Sequence, residues 1–335
     1  MKRLDINEII ALIDAEKHFE AIVSDGSFSI KINKYLPYCC TAVHDGSSLR
    51  NELKEKINHD EYSRWYEEDP FTGDFISSMP ITLIGNDSRF EYDLNRNPED
   101  CILDVAWEKK VWKKELTPKE RQKSIEKHNN YYKVTHALIR KLETLFGGCV
   151  VYDIHSYNFQ RWNRNVPLFN IGAENIDMNR FGNVVKHWRE ELGKIELQDV
   201  ENNSAINDVF YGRGYNVEYI TKNFKNTLVL ATEIKKVYCN EITGDDYPNV
   251  IKTLQKGFKK AILNNANFFN QKHSDWEYRV KAKLLDKTMD SSILKVDNEL
   301  FSLLKGFELL ASVNPINNIQ EKKRFFKSKC TETPY

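Results

Sequence analysis

Five short segments carry side chains able to do chemistry, and each lies at the end of a run that reads as a strand or in the loop after it. They are "AVHDG" with His44, "YEEDPFTGD" with Glu67, Glu68 and Asp69, "NDSRFEYDLNR" with Arg89, Asn95 and Arg96, "YDIHSY" with His155, and "LVLATEIKKVY" with Glu233. Two histidines, an acidic loop, arginines and a strand-borne glutamate are the parts of a metal hydrolase. A catalytic zinc takes three protein ligands, usually His and carboxylate, and leaves a position for water whose proton a nearby carboxylate removes. Arginines then hold an anionic substrate in a bidentate grip.

Each part alone has a plainer reading. A strand-end imidazole also serves as a hydrogen-bonded core histidine. The loop "EEDPFTGD" is by itself an ordinary solvated acidic loop, and Arg89 and Arg96 have Asp87, Glu91 and Asp93 within reach for exposed ion pairs. Glu233 is harder to explain away. It follows the apolar run "TLVLAT", so burial of its charge demands a partner or a function.

The elements that must position these residues read as an alternation of strands and helices. Leu4, Ile6, Ile9, Ile10 and Ile13 are spaced for an amphipathic helix over 4–16, and "FEAIVSDGSFSIKI" follows as two strands around the turn Asp25-Gly26. "CCTAVHDGSS" is a strand ending at His44, residues 48–66 are helical, and "ITLIG" is a strand. Thr117-Pro118-Lys119-Glu120 is a capping box with proline in the first turn, opening a long helix that stops at Gly147 and Gly148. The buried strand 149–154 follows and delivers His155 at its C-terminal end, the edge where open α/β sheets gather ligands. Helical spacing returns from Pro248 through "VIKTLQKGFKKAILNNANFF" and again over 292–311, ahead of a polar, basic tail. The pattern predicts one α/β domain over 1–335 with helical additions at both ends.

Bulk properties exclude several classes of partner. Lys plus Arg and Asp plus Glu each number 49 in the 335 residues, so no net field draws the chain to nucleic acid or an anionic membrane. No apolar run approaches a membrane span, and the first residues break their apolar positions with Asp and Glu, unlike a signal peptide, so a cytoplasmic protein is expected. Six scattered cysteines without a CxxC pair suggest buried small hydrophobes instead of disulfides or a zinc knuckle.

Over residues 38–245 the segments resemble the N-formylglutamate amidohydrolase family and, through it, the zinc carboxypeptidases. "DSRFEYDLNR" is similar to the family's arginine-bearing segment and "DIHSY" to its metal-histidine segment, while "YITKNF" followed by "ATEIKKVYCNE" is similar to the segment that carries the catalytic Glu. The resemblance implies a three-layer, zinc-carboxypeptidase-like α/β fold with a mixed, about eight-stranded sheet (family-like core over 38–245, helical extension over 248–335), one Zn2+, and hydrolysis of an N-acyl amino acid. It makes His44 and His155 zinc ligands, Glu233 the general base and later proton donor, and Arg89 the group that polarises the scissile carbonyl. Asn95 and Arg96 would hold a substrate carboxylate, with Tyr157 as a further contact and Arg213, Arg161 or Arg164 as a second anionic contact. Where the carboxypeptidases have a Glu three residues after the first His, this chain has Ser47. The third ligand is therefore expected from the acidic loop, Glu68 first, with Glu67 and Asp69 behind it. Asp45 is the next candidate for that ligand, or else orients the imidazole of His44, as Asp153 could orient that of His155.

Two other readings stand beside the N-acyl amino acid hydrolase: a carboxypeptidase-like enzyme trimming a peptide C-terminus, and a binding protein that has lost the chemistry of the same fold. Presence of His44, His155, Arg89, Arg96 and Glu233 together argues against the last.

Overall fold

A computed structural model of the chain describes residues 1–273, 309–312 and 325–328. The elements in order are β1 (Lys2–Leu4), α1 (Ile6–Asp14), β2 (Phe19–Val23), β3 (Phe28–Ile32), β4 (Tyr38–Ala42), α2 (Asn51–Lys54), α3 (Glu61–Glu67), α4 (Thr72–Ile76) and β5 (Ile81–Gly85). A small hairpin, β6 (Val105–Ala106) and β7 (Lys109–Lys110), precedes α5 (Pro118–Phe146), β8 (Cys149–Tyr157), β9 (Phe169–Gly172) and α6 (Met178–Leu192). Then come β10 (Ala205–Ile206), α7 (Tyr215–Asn223), β11 (Thr227–Lys235), α8 (Pro248–His273), β12 (Leu309–Ser312) and β13 (Phe325–Ser328). Met1–Trp276 form one compact unit and Glu277–Tyr335 another.

Nine strands make the main sheet, in the order β1-β2-β3-β5-β4-β8-β11-β9-β10. The central four, β5, β4, β8 and β11, are parallel to one another, whereas β3 pairs antiparallel with both β2 and β5, and β9 antiparallel with β11. Alternation along the strands sorts the core into two layers. Val150, Tyr152, Ile154, Leu228 and Leu230 face α4, α6 and α8, with Trp188 and Phe258 at the centre. Cys149, Val151, Val229 and Ala231 face the other way, onto Ile9 and Ile13 of α1, Tyr131 to Leu142 of α5, and Val217 and Ile220 of α7. The result is the three-layer α/β arrangement.

The chain leaves β4 for β5 on one side and returns to β8 on the other, so the strand order reverses between β4 and β8. At such a switch point the two connections diverge to opposite faces, and a crevice opens beyond the C-terminal ends of the strands. Here α4 packs in the layer beneath one face and α5 in the layer beneath the other.

Local signals explain most boundaries. Asp5 and Glu8 form a capping box at α1, and Leu4, expected to open that helix, instead ends an edge strand over 2–4 that pairs with β2. Thr117 and Glu120 form the capping box at α5, which ends on Gly147 in the left-handed region at φ 74°. The helix expected over 48–66 is broken in two. The Asn58 amide donates to Val111 O and the Lys113 amide to Lys56 O, so tertiary pairing claims the backbone before Asp60 caps a new start. The helix expected over 292–311 lies outside the described residues except at its end, where 309–312 are instead a strand paired antiparallel with 325–328, within the stretch read as a loose tail. Cys39, Cys40, Cys101, Cys149 and Cys239 are buried free thiols, and Cys330 is outside the described residues.

Leu142→Ala, which empties a fully buried position of α5, should cost about 2–5 kcal/mol. The check is a urea unfolding curve, in which the midpoint should fall with little change in slope. An unchanged midpoint would mean that α5 does not pack against the sheet as described.

Candidate metal centre and active site

β4 and β8, the strands that flank the switch point, bring the two histidines together. His44 follows β4 by two residues and His155 lies near the end of β8; their ring centroids are 5.2 Å apart. The acidic member that closes on them is Asp69. Its Oδ2 lies 3.3 Å from Nδ1 of His44 and 3.3 Å from Nδ1 of His155, and all three side chains are buried.

Glu68, the first choice from sequence, turns the other way. Its carboxylate accepts a hydrogen bond from the Ser88 hydroxyl, and burial pushes its pKa up to about 7 against the pull of that bond and of Arg64, Arg89 and Lys236. Consecutive residues in an extended stretch point to opposite sides, so only one of Glu68 and Asp69 can face the imidazoles. Asp69 is chosen by its backbone: its amide donates to His44 O at 3.0 Å, and Ser156 Oγ donates to Asp69 Oδ1 at 3.2 Å. Glu67 is spent on Arg161.

The outer nitrogen of each imidazole is also held by a carboxylate. His155 Nε2 is 2.9 Å from Asp153 Oδ2, and Asp153 in turn accepts from Thr41 Oγ1 at 2.6 Å. His44 Nε2 is 2.7 Å from Asp93 Oδ1. Asp153 thus takes the orienting place expected of it, whereas Asp45 does not: it accepts from the Gly73 amide at 2.9 Å and anchors α4. The orienting partner of His44 is Asp93, whose position inside "DLNR" was the only sequence signal that marked it. Burial works against the charge of Asp93, but the Arg89 guanidinium and His44 hold its carboxyl well below the ordinary range. Burial likewise opposes ionisation of Asp69, and hydrogen bonds with His155 and His44 outweigh it. For His155, burial would lower the pKa, and Asp153 leads the groups that raise it.

Glu233 stands directly across from His155 in the parallel β8–β11 ladder. Paired residues project from the same face, so its carboxylate flanks the imidazole. Among the described residues it makes no hydrogen bond or ion pair, and burial raises its pKa to about 8, with the charges of His155 and Arg89 opposing that rise. Asn95, Arg213, Asp153, His155 and Glu233 share a cavity of about 270 Å³, walled by Val209 to Gly214, Val217, Ala231 and Gly172. Gly172 and Gly212 allow this wall to close: a Cβ on Gly172 would meet Gly212 N at 2.2 Å.

The remaining expected contacts divide. Arg89 donates to Asp93 Oδ2 at 2.8 Å and to Glu67 O at 3.2 Å, and its buried Nε has no hydrogen-bond partner among the described residues. Arg96 is half exposed, its Nε 3.7 Å from Asp93 Oδ2. Arg213 pairs with Glu174 at the cavity wall. Tyr157 is not presented to the cavity: its hydroxyl donates to Pro167 O and its ring packs with Val166, Val209 and Phe210. Arg161 and Arg164 are held by Glu67 and Asp208.

The donor set fits a divalent ion. Two imidazole nitrogens and one carboxylate oxygen lie within 4.8 Å of one another. A tetrahedral zinc with bonds of about 2.0–2.1 Å has ligand-to-ligand edges of roughly 3.3 Å, the separation seen here between Asp69 and each histidine. Charge argues the same way, since the four carboxylates of Asp69, Asp93, Asp153 and Glu233 outnumber the guanidinium groups beside them, those of Arg89 and the more exposed Arg96.

The N-formylglutamate amidohydrolase family model matches residues 36–238. Among solved structures, the chain is similar to an N-formylglutamate amidohydrolase from Ralstonia eutropha JMP134, at 18% identity over 73% of this chain and 98% of that one, with a TM-score of 0.62. A gene product of Agrobacterium tumefaciens follows at 15% identity, covering 71% of this chain and 95% of that one, with a TM-score of 0.53. A metallo-carboxypeptidase from Burkholderia cenocepacia is more distant, with a TM-score of 0.38 at 11% identity over 72% of this chain and 61% of that one. No curated protein matches the chain. No helix among the described residues is long and apolar enough to cross a membrane.

The geometry separates neighbouring carboxylates. Asp69→Ala should strip a bound divalent metal from the purified protein, whereas Glu68→Gln should retain it, as read by elemental analysis of the folded variants. Loss only from Glu68→Gln would return the ligand role to Glu68, and equal retention by both variants would exclude both and point to Asp45.

Proposed function

Because the chain belongs to the N-formylglutamate amidohydrolase family, we propose that it is a zinc-dependent amidohydrolase acting on an N-formyl or other N-acyl amino acid with a free carboxylate. The observation that carries this reading is the placement of Glu233 beside His155, within a buried His44–Asp69–His155 donor set and at the wall of a cavity.

His44, Asp69 and His155 would hold the ion, with Asp93 and Asp153 fixing which imidazole nitrogen faces inward. A zinc ion in such a set supplies Lewis acidity, which polarises an amide carbonyl and brings the pKa of water near neutrality. Glu233 removes the proton from the water that attacks the amide carbon and returns it to the departing nitrogen. Its lack of a hydrogen-bond partner suits that exchange, since nothing in the site has to be broken when it protonates. Arg89, with a free Nε, stabilises the negative charge that develops on the carbonyl oxygen. Asn95 and Arg213 face the cavity and receive the substrate carboxylate, with Arg96 beside them on the same segment. Arg213 must exchange Glu174 for the substrate.

A cavity of about 270 Å³ is at the small end of ligand pockets, which favours an N-acyl amino acid over an extended peptide. The carboxypeptidase-like alternative shares the ion and the arginines, so a panel of N-formyl and N-acetyl amino acids against short peptides tells them apart. Turnover of peptides alone would overturn the substrate assignment.

His155→Ala should leave a folded protein without zinc, whereas the unmodified chain should carry close to one ion per chain. Absence of zinc, with no binding or activation on its addition, would defeat the metal reading.

Glu233→Gln should keep both zinc and fold, because the amide preserves shape and the donor set is untouched. Turnover should fall by roughly 10²–10⁴, the loss typical of removing a positioned proton-transfer group, with little change in KM. A variant that loses zinc or unfolds would make Glu233 a ligand or a structural residue.

A further inference from the structure

Lys236 is 1% exposed, follows the end of β11, and takes no part in the chemistry described above. Burying an ammonium costs several kcal/mol unless its protons find acceptors. Among the described residues Lys236 makes no ion pair with a carboxylate. Its Nζ donates instead to two backbone carbonyls, Tyr66 O at 2.7 Å and Glu68 O at 2.7 Å, while the rings of Trp65 and Tyr66 lie 5.8 and 5.9 Å away. Desolvation lowers its pKa, with the negative charge of Asp69 foremost among the groups that oppose the fall.

Those two carbonyls belong to the turn that presents Asp69. Glu68 O is the acceptor on the peptide joining Glu68 to Asp69, so its direction helps set which way the Asp69 side chain leaves the backbone. Other donors complete the grip: Asn158 Nδ2 donates to Tyr66 O at 2.7 Å and Arg89 to Glu67 O at 3.2 Å. Three successive carbonyls are therefore held from the sheet side and from the arginine segment. The loop needs such a hold, because Phe71 just beyond it sits at φ 69°, a left-handed conformation that disfavours a residue with a side chain.

We propose that Lys236 is a positioning residue for the metal centre, holding the Tyr66 and Glu68 carbonyls so that Asp69, and not its neighbour Glu68, faces the two histidines. It lies three residues beyond Glu233 on the same stretch of chain. One strand thereby supplies the proton-transfer carboxylate and fixes the ligand loop. This inference rests on the proposed zinc site, and its test separates the two.

Zinc affinity is measured by competition with a chromophoric chelator for the unmodified chain, Lys236→Met and Lys236→Arg, with circular dichroism to show that each is folded. Lys236→Met, similar in size but without donors, should bind zinc roughly 10–100-fold more weakly, as losses around a ligand typically do. Lys236→Arg keeps the charge and the donors, so it should recover part or all of that loss. A lysine that only stabilises the fold predicts folded variants with unchanged affinity. A folded Lys236→Met within twofold of the unmodified chain overturns the proposal, as does Lys236→Arg binding no better than Lys236→Met. Should Lys236→Met not fold, Lys236→Gln, which retains a donor for only one carbonyl at a time, replaces it with the same two readings. An unmodified chain without zinc affinity defeats the metal reading and this proposal together; a zinc-binding chain whose Lys236→Met variant binds equally defeats this one alone.

Discussion

Everything at the site depends on the parallel register of β8 and β11, which sets Glu233 opposite His155. A shift of one residue would turn Glu233 to the opposite face, toward the layer of Trp188 and Phe258, and bring Ile234 or Thr232 beside the imidazole. That register is set far from the chemistry. Thr227 to Ala231 and Cys149 to Asp153 run side by side with alternate residues entering two different apolar layers, so slipping either strand would expose one layer and bury polar atoms in the other.

The switch point supplies the second histidine and explains why the loops meet where they do. His44 comes from β4, His155 from β8, and the connections that leave β4 and β5 pass over opposite faces of the sheet. Both loops that complete the site are therefore tethered at the same edge. The arginine segment is tied to α5 through Lys127, which binds Asp87 at 2.9 Å and Glu91 at 3.3 Å, and through Arg50, which binds Glu91 at 2.7 Å. The acidic loop is tied to the end of β11 through Lys236. Rigid attachment at both ends lets two loops hold buried carboxylates in place.

Buried carboxylates in such number are costly to desolvate and tend to neutralise unless charges or donors hold them ionised. Asp69, Asp93 and Asp153 each have an imidazole, and Asp93 also has Arg89. Glu233 has neither hydrogen bond nor ion pair among the described residues, and of these four carboxylates it is the one pushed upward in pKa. The same fold thus separates acids that orient and bind from the acid suited to exchanging a proton, by environment alone.

Much of this was legible in one dimension. The strand ends carrying His44 and His155, the apolar run that made Glu233 anomalous, the capping box of α5 and the "DLNR" segment are all local patterns, and local patterns are what periodicity and capping chemistry encode. Asp153 could be placed beside His155 because residues two apart in a strand share a face. The choice among Glu67, Glu68 and Asp69 could not be read, because each is a carboxylate in the same acidic run and only the contacts of Lys236, Ser88, Ser156 and the His44 backbone decide which one turns inward. Asp93 as the partner of His44, the burial of Tyr157 and the break between α2 and α3 likewise come from groups distant in sequence. Residue types and their local spacing determined the chemistry and the main elements of this protein. Tertiary contacts alone decided which of several chemically equivalent side chains occupies each place, since that depends on directions in space that a linear spacing does not contain.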